Sequence, residues 1–210
     1  DSWLNLEKNS SVPRWLPDGS GFIWATEQRG DWQLELRSRT GALVRELTPI
    51  GHHVNGLVDL DPKAGKVTFS GGPDAREMHL FQVPLSGGKP TPLSEGRGFH
   101  QARFSKNHQV YVQQFTLGDG NRGVEIRSAK GKRLGMLPSV AENLPFLPNL
   151  ELVQTGGALS FDAALVRPRN FQPNKKYPVI LHVYGGPTVK MVKVMPEYWL
   201  RPQWMADHGY

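Results

Sequence analysis

Three glycines recur in register along the first two thirds of the chain: Gly41, Gly87 and Gly131, 46 and 44 residues apart. Each separates two short runs with strand character. In the first unit Trp32–Arg37 precedes Thr40-Gly41-Ala42 and Val44–Thr48 follows. In the second, Met78–Val83 and Pro90–Ser94 flank Ser86-Gly87-Gly88. In the third, Gly123–Arg127 and Leu134–Pro138 flank Lys130-Gly131-Lys132. An alternating run, a tight glycine turn and a second run make an antiparallel hairpin. A second pair of runs lies upstream of each hairpin. Pro13–Leu16 and Phe22–Thr26 flank Pro17–Gly21, Gly56–Leu60 and Lys66–Ser70 flank Asp61–Gly65, and Gln101–Phe104 and Gln109–Gln113 flank Ser105–His108. Four short strands in about 45 residues is the spacing of a β-propeller blade. A β-sandwich or other meander needs no repeat, so three units in phase argue against it.

Three blades do not close a ring, since propellers typically have about four to eight. The expectation is a part of a longer protein, or repeats completed across chains. Open sheet edges invite pairing, which predicts self-association or association with the missing part.

The repeat stops after Leu144. Asn143–Asn149 is a connector spaced by Pro145 and Pro148, and Glu151–Thr155 with Leu159–Val166 reads as a hairpin outside the blade register. Pro168–Pro173 is a loop. Next comes Tyr177-Pro178-Val179-Ile180-Leu181-His182-Val183-Tyr184-Gly185-Gly186-Pro187, which reads as a buried strand stopped by a glycine turn. Such a strand would leave the Tyr184 phenol at the carboxyl edge of a sheet, where open α/β sheets keep their chemistry. Tyr198, Trp199, Trp204 and Met205 then give a helical pattern, with Gly209 as its C-terminal cap.

The formal net charge of +6 raises the question of nucleic acid. The basic residues are spread along the chain and stand beside acids, as in Glu27-Gln28-Arg29-Gly30-Asp31, so solvated loops are the better reading. No apolar run approaches the roughly 20 residues of a membrane-spanning helix. Asp1–Asn5 has neither the basic nor the apolar region of a signal peptide. The absence of cysteine excludes disulfides and thiolate metal sites. His52, His53, His79 and His100 are read as structural or solvated rather than as metal ligands. Trp15, Trp24 and Trp32 are read as blade packing, and Asp61–Gly65 and Asp119–Asn121 as turns rather than calcium loops, since neither has the full ligand spacing.

The order of blades, proline-rich connector, hairpin ending in Leu165-Val166-Arg167-Pro168, and then Lys175-Lys176 followed by the Tyr177–Pro187 motif resembles the prolyl oligopeptidase family of serine peptidases. Within it, the dipeptidyl peptidase IV branch is the nearest in pattern. The resemblance runs from about Val12 to Tyr210, and its most specific part is Tyr177–Pro187. It implies a mainly β chain: a partial propeller of about three four-stranded blades over residues 1–144, then the first strands of a truncated α/β-hydrolase domain over 145–210. It also implies that Tyr184 donates its phenol O–H to the oxyanion of a tetrahedral intermediate, with Gly185 and Gly186 as the turn that presents it. The implied substrate is a peptide from which N-terminal X-Pro dipeptides are released, with no cofactor. The resemblance leans to a periplasmic or secreted setting, which the sequence itself leaves open.

A hydrolase nucleophile sits in Gly-x-Ser-x-Gly at a strand-to-helix elbow, and no such motif occurs here. Ser20 lies in a blade turn, Ser70 precedes Gly71-Gly72 in an expected propeller loop, and Ser160 lies in the non-blade hairpin. The Ser, Asp and His of the hydrolase triad follow the oxyanion loop in sequence. No adjacent Glu-Glu, the family's acidic pair for a free amino terminus, is present either. The expectation is therefore an inactive piece of a dipeptidyl peptidase. The alternatives are a non-catalytic propeller used for protein interaction, or another branch of the same peptidase family.

Overall fold

The computed structural model describes residues 13–157, 159–186 and 189–210. Val12, Pro187 and the Asp1–Asn5 terminus lie outside them. Three four-stranded antiparallel sheets follow one another along the chain, each with its strands in sequence order. The first holds β1 (Arg14–Trp15), β2 (Gly21–Thr26), β3 (Gln33–Ser38) and β4 (Leu43–Glu46). The second holds β5 (Gly56–Asp61), β6 (Lys66–Gly71), β7 (His79–Pro84) and β8 (Thr91–Pro92). The third holds β9 (Gly98–Phe104), β10 (Val110–Leu117), β11 (Arg122–Ser128) and β12 (Arg133–Leu137). These are the three expected blades.

The repeat is a repeat of geometry. Gly41, Gly87 and Gly131 have φ of 88°, 83° and 84°, a left-handed conformation that costs glycine little. Each donates its N–H to the carbonyl three residues back, on Ser38, Pro84 and Ser128, at 2.8–2.9 Å. In the first two blades a hydroxyl then accepts a strand N–H: Thr48 Oγ1 from Leu34 at 2.8 Å and Ser94 Oγ from Leu80 at 3.0 Å. The corresponding place in the third blade is Pro138, which has no hydroxyl, and Leu137 before it is exposed where Leu47 and Leu93 are buried.

The core lies between the blades. Ile23 and Leu34 of the first pack with Val67, Phe69 and Val83 of the second. Leu80 and Leu93 of the second pack with Tyr111 of the third, whose ring stacks on Phe104 at 4.6 Å. Polar contacts fix the spacing. Asp31 accepts the N–H groups of Gly51 and His53 in the loop between the first two blades, at 2.8 and 3.2 Å. His108 in the β9–β10 turn approaches Asp59 on β5 at 2.9 Å. Met78 and Phe99 form a parallel bridge from the second blade to the third. Trp32 packs on the first core, as expected, whereas Trp15 is half-exposed on edge strand β1 against Phe22.

The hairpin outside the blade register is β13 (Leu150–Gln154) paired with β14 (Asp162–Val166). A 3-10 turn over Pro196–Trp199 runs into α1 (Leu200–Asp207). Helix α1 ends as expected at Gly209, φ 88°. The Gly209 N–H reaches the Ala206 carbonyl and the Tyr210 N–H that of Met205, both at 3.1 Å, which is the Schellman pattern. Gln203 ties this part together: its side chain is fully buried, accepts the Asn149 N–H at 2.6 Å and donates to the Arg167 carbonyl at 3.0 Å.

One expectation fails. Residues 177–186 form no strand, and the apolar run is exposed, with Val179 at 88% and Leu181 at 85% of full accessibility. A buried parallel strand takes its stability from neighbours on both edges and helices on both faces. Among the described residues none pairs with this run, so its hydrophobic pattern has nothing to bury against.

Candidate active site

Tyr184 stands at the end of that extended run and is 41% exposed. Its ring folds back over Gly186, so closely that a Cβ at Gly186 would lie 2.5 Å from the phenol oxygen. Any larger residue there would push the phenol aside. Neither Gly185 nor Gly186 takes a positive φ. The Tyr184 ring occupies the space that a Gly186 side chain would take, and around Gly185 there is open space.

The chain beyond residue 188 returns to the blades. The Val194 N–H donates to the Arg76 carbonyl at 2.9 Å, and Thr116 Oγ1 of β10 donates to Glu197 Oε1 at 3.0 Å. Gly118 makes room for Val194, whose Cγ1 would lie 2.8 Å from a Cβ at that glycine. The indole N–H of Trp199 holds the Lys193 carbonyl at 2.8 Å. Between this docked segment and the second and third blades lies a crevice of about 340 Å³, with Met78, Phe99 and Gln101 on the blade side and Lys190, Lys193 and Met195 on the other.

A charged cluster lies beside the crevice. Arg76 grips Asp74 through two bonds of 2.8 Å, and hydrogen bonding to that guanidinium pulls the Asp74 carboxyl down to about 2. Asp162 at the start of β14 lies 4.0 Å from the same guanidinium. Glu77 is buried, and its two oxygens are taken by Arg97 at 2.6 Å and His79 at 2.8 Å. The His79 ring stacks on that of His100 at 5.2 Å. His100 is buried between the Gly96 carbonyl and the Gln113 amide, both at 3.0 Å, and burial pushes its pKa below the usual imidazole value. Sequence reasoning missed this cluster, because its members sit on two blades and on β14 with no spacing that marks them.

The residues set aside from the sequence have local roles. Ser20 bonds Asp18, Ser70 is buried within β6 rather than in a loop, and Ser160 is exposed in the β13–β14 connection. His53 pairs with Asp31, and His52 packs edge-on to Phe81. Asp61 and Asp119 accept backbone N–H groups of their own turns. Among the described residues no group of three histidines or carboxylates is placed to hold a metal, and no helix is long and apolar enough to cross a membrane.

Residues 1–119 match the family described as the dipeptidyl peptidase IV N-terminal region. Dipeptidyl-peptidase 5 of Porphyromonas gingivalis is 26% identical over 221 residues, covering 95% of this chain and 30% of the relative. The crystal structure of Porphyromonas gingivalis dipeptidyl peptidase 4 superposes with a TM-score of 0.79 at 24% identity, over 94% of this chain and 29% of that one. A puromycin hydrolase structure superposes at a TM-score of 0.68 and 16% identity, over 93% of this chain and 31% of that one. The chain thus spans under a third of these proteins, and the likeness to the two structures extends its propeller-type fold beyond the 119 residues matched by the family.

Proposed function

Since the chain belongs to the dipeptidyl peptidase IV N-terminal region family, we propose that it is the blade-bearing part of a serine dipeptidyl peptidase that releases N-terminal X-Pro dipeptides. Residues 1–144 are the propeller part and residues 145–210 lead into the catalytic α/β-hydrolase domain. The observation that carries this reading is the exposed Tyr184 phenol over Gly186, on a segment that follows three blades and a hairpin.

Acyl transfer puts negative charge on the scissile carbonyl oxygen. A donor fixed about 2.7–3.1 Å from that oxygen lowers the barrier, and losing one costs roughly 10²–10³ in kcat. Tyr184 is that donor. The lack of a side chain at Gly186 leaves room for its ring, and the hydrolase part supplies the nucleophile, base and orienting acid, none of which is among these residues. The peptide is the substrate, and the chemistry runs on side chains without a cofactor.

In the full-length protein, Tyr184→Phe removes only the phenol oxygen. Turnover of an X-Pro reporter should then fall by roughly 10²–10³ in kcat with KM little changed. An unchanged kcat would remove Tyr184 from the chemistry. The 210-residue chain alone should not turn over the same reporter.

A further inference from the structure

We infer that the end of the three blades remote from the 189–199 segment is a docking face for an anionic membrane surface. In each sheet the turn between the first two strands lies beside the turn between the last two. The same backbone bond ties them: Arg39 N–H to the Ser20 carbonyl, Leu85 to Gly65 and Ala129 to Gln109, at 2.8–3.0 Å. Contacts between blades put the three turn ends on one side. His108 reaches Asp59 across one boundary, and a Cβ at Gly87 would lie 2.8 Å from the Arg45 side chain across the other. The 189–199 segment docks at the opposite end, on Arg76, Thr116 and Gly118.

Basic residues far apart in sequence are gathered by the repeat. The turn end carries Arg39 from the first blade, Lys63 and Lys89 from the second, and Lys106, Lys130 and Lys132 from the third, all exposed. Its two acids, Asp18 and Asp61, fold back on their own turns and accept the N–H groups of Ser20 and Ala64. Among the described residues none of the six cations is held in an ion pair. At the other end Arg29, Arg76 and Arg97 pair with Glu46, Asp74 and Glu77. The uncompensated positive charge of these blades therefore lies at the turn end.

The occupant follows from the kind of cation and its placement. All but Arg39 are lysines, compact charges on flexible stems rather than planar forks for a shaped acceptor. They stand on turn tips of three blades, which suits a plane of diffuse negative charge such as an anionic leaflet. Apolar side chains stand beside them. The outer strands β4 and β12 each skip one residue in pairing, Val44 and Leu134. Both follow the turn glycine by three residues and are exposed, at 53% and 56%. Bulges re-aim side chains, and apolar groups beside lysines enter the headgroup layer of a bilayer. Docked this way, the blades turn the 189–199 segment toward solvent.

The inference does not depend on the peptidase reading, and its test reads binding alone. Full-length protein is sedimented with vesicles of phosphatidylcholine and with vesicles of phosphatidylcholine mixed with phosphatidylglycerol. It should pellet with the mixed vesicles and stay in solution with the neutral ones, and high salt should release most of it. Lys130→Gln/Lys132→Gln should weaken binding roughly 25-fold, about fivefold for each lysine. Lys175→Gln/Lys176→Gln, which removes the same charge beyond the blades, should bind as the unaltered protein does. Val44→Ser/Leu134→Ser should remove the fraction that high salt leaves bound. Equal pelleting with both kinds of vesicle, an equal loss in the two lysine variants, or no pelleting at all overturns the proposal. So does capture by poly-glutamate or a duplex oligonucleotide that the Lys130→Gln/Lys132→Gln change abolishes while vesicles are left unbound, since that assigns the face to a soluble polyanion.

Discussion

Arg127 donates its Nε to Glu125 Oε2 at 2.7 Å, and with the same guanidinium holds the carbonyl of Gly131 at 2.9 Å. Arg37 repeats this on Glu35 and Gly41, both at 2.9 Å. The charged pair thus braces the glycine turn in the outer blades. At the matching places the middle blade has Phe81 and Val83, an apolar pair that packs on the core between the first two blades. Glu125 is buried, and removing the partner of a buried charge is costly, while replacing the whole pair by well-packed apolar groups is often neutral. Arg127→Val alone should destabilise by about 3 kcal/mol, somewhat relieved by Arg133 at 3.5 Å. Glu125→Phe/Arg127→Val together should recover most of that loss. Urea unfolding of the three proteins decides it, and a double variant as weak as the single would mean that an apolar pair cannot replace the charged one in this blade.

Stability should fall on mild acidification. Burial lowers the His100 pKa in the folded state, so the folded protein binds fewer protons there than the unfolded chain. Its contribution is complete above the unfolded value of about 6.5 and is lost as pH falls below it toward the folded value. His52 acts in the same direction, again through burial. Asp74 acts later: with its folded value near 2, its contribution holds above about pH 4 and is lost between there and about 2. Urea midpoints should therefore drop between neutral pH and about 5, and His100→Gln should flatten that slope. An unaltered slope in the variant would exclude His100 as its source.

The blades were legible because a left-handed turn demands glycine, and a demand repeated every 44 to 46 residues shows in the letters themselves. The helix end at Gly209 was legible for the same reason. Strand 177–184 was misread because apolar alternation records what a segment can bury, while strand formation depends on neighbours the segment does not encode. The Glu77–His79–Arg97 cluster was invisible because side chains 20 residues apart meet only after the second and third blades pack. The contact of the Tyr184 ring with Gly186 was not legible either, because it depends on where one side chain lies and not on any spacing of residues.

Gln203 should be the most sensitive polar residue after the blades. It is fully buried and bonds the connector, the end of the hairpin and Asp207 of its own helix, the last at 2.9 Å. Gln203→Leu leaves the Arg167 carbonyl without this donor and should cost about 2 kcal/mol. Gln203→Glu should be worse, since it places a carboxylate against Asp207 and cannot donate to Arg167. Limited proteolysis at the 143–149 connector should rank the three proteins in that order, and equal cleavage would rule Gln203 out as the tie.

Two glycines outside the turns should be intolerant. A Cβ at Gly98, φ 151°, would run into the Thr116 carbonyl oxygen, and one at Gly21 into that of Arg37. Both obstacles are paired backbone, which cannot rotate away, so alanine at either should cost about 3 kcal/mol or more. Gly135 has nothing within 4 Å of its Cβ position, and Gly135→Ala on β12 should be neutral or slightly stabilising. Thermal midpoints of the three variants separate close backbone approach from a general effect of losing glycine.

The outer face of the third blade should drive association of the 210-residue chain. Along β10 the pattern alternates: Tyr111 and Gln113 are buried, while Val110 and Val112 are exposed. Val112 pairs with Ile126, and Gln114 with Val124, which pairs with Leu137. Residues directly opposite across an antiparallel pair share a face, so Val110, Val112, Val124, Ile126 and Leu137 form one apolar surface across three strands. Its counterpart between the first two blades is covered by a neighbouring sheet. An uncovered sheet face of this kind attracts a second copy. The isolated chain should therefore elute from a sizing column as a concentration-dependent assembly. Val112→Lys, which puts a charge at the centre of the face without touching the buried side of the strand, should shift it to monomer. A monodisperse monomer before substitution would mean that this face is not the source of association. An assembly that Val112→Lys leaves intact would move the contact to the open edge strands β1 and β12.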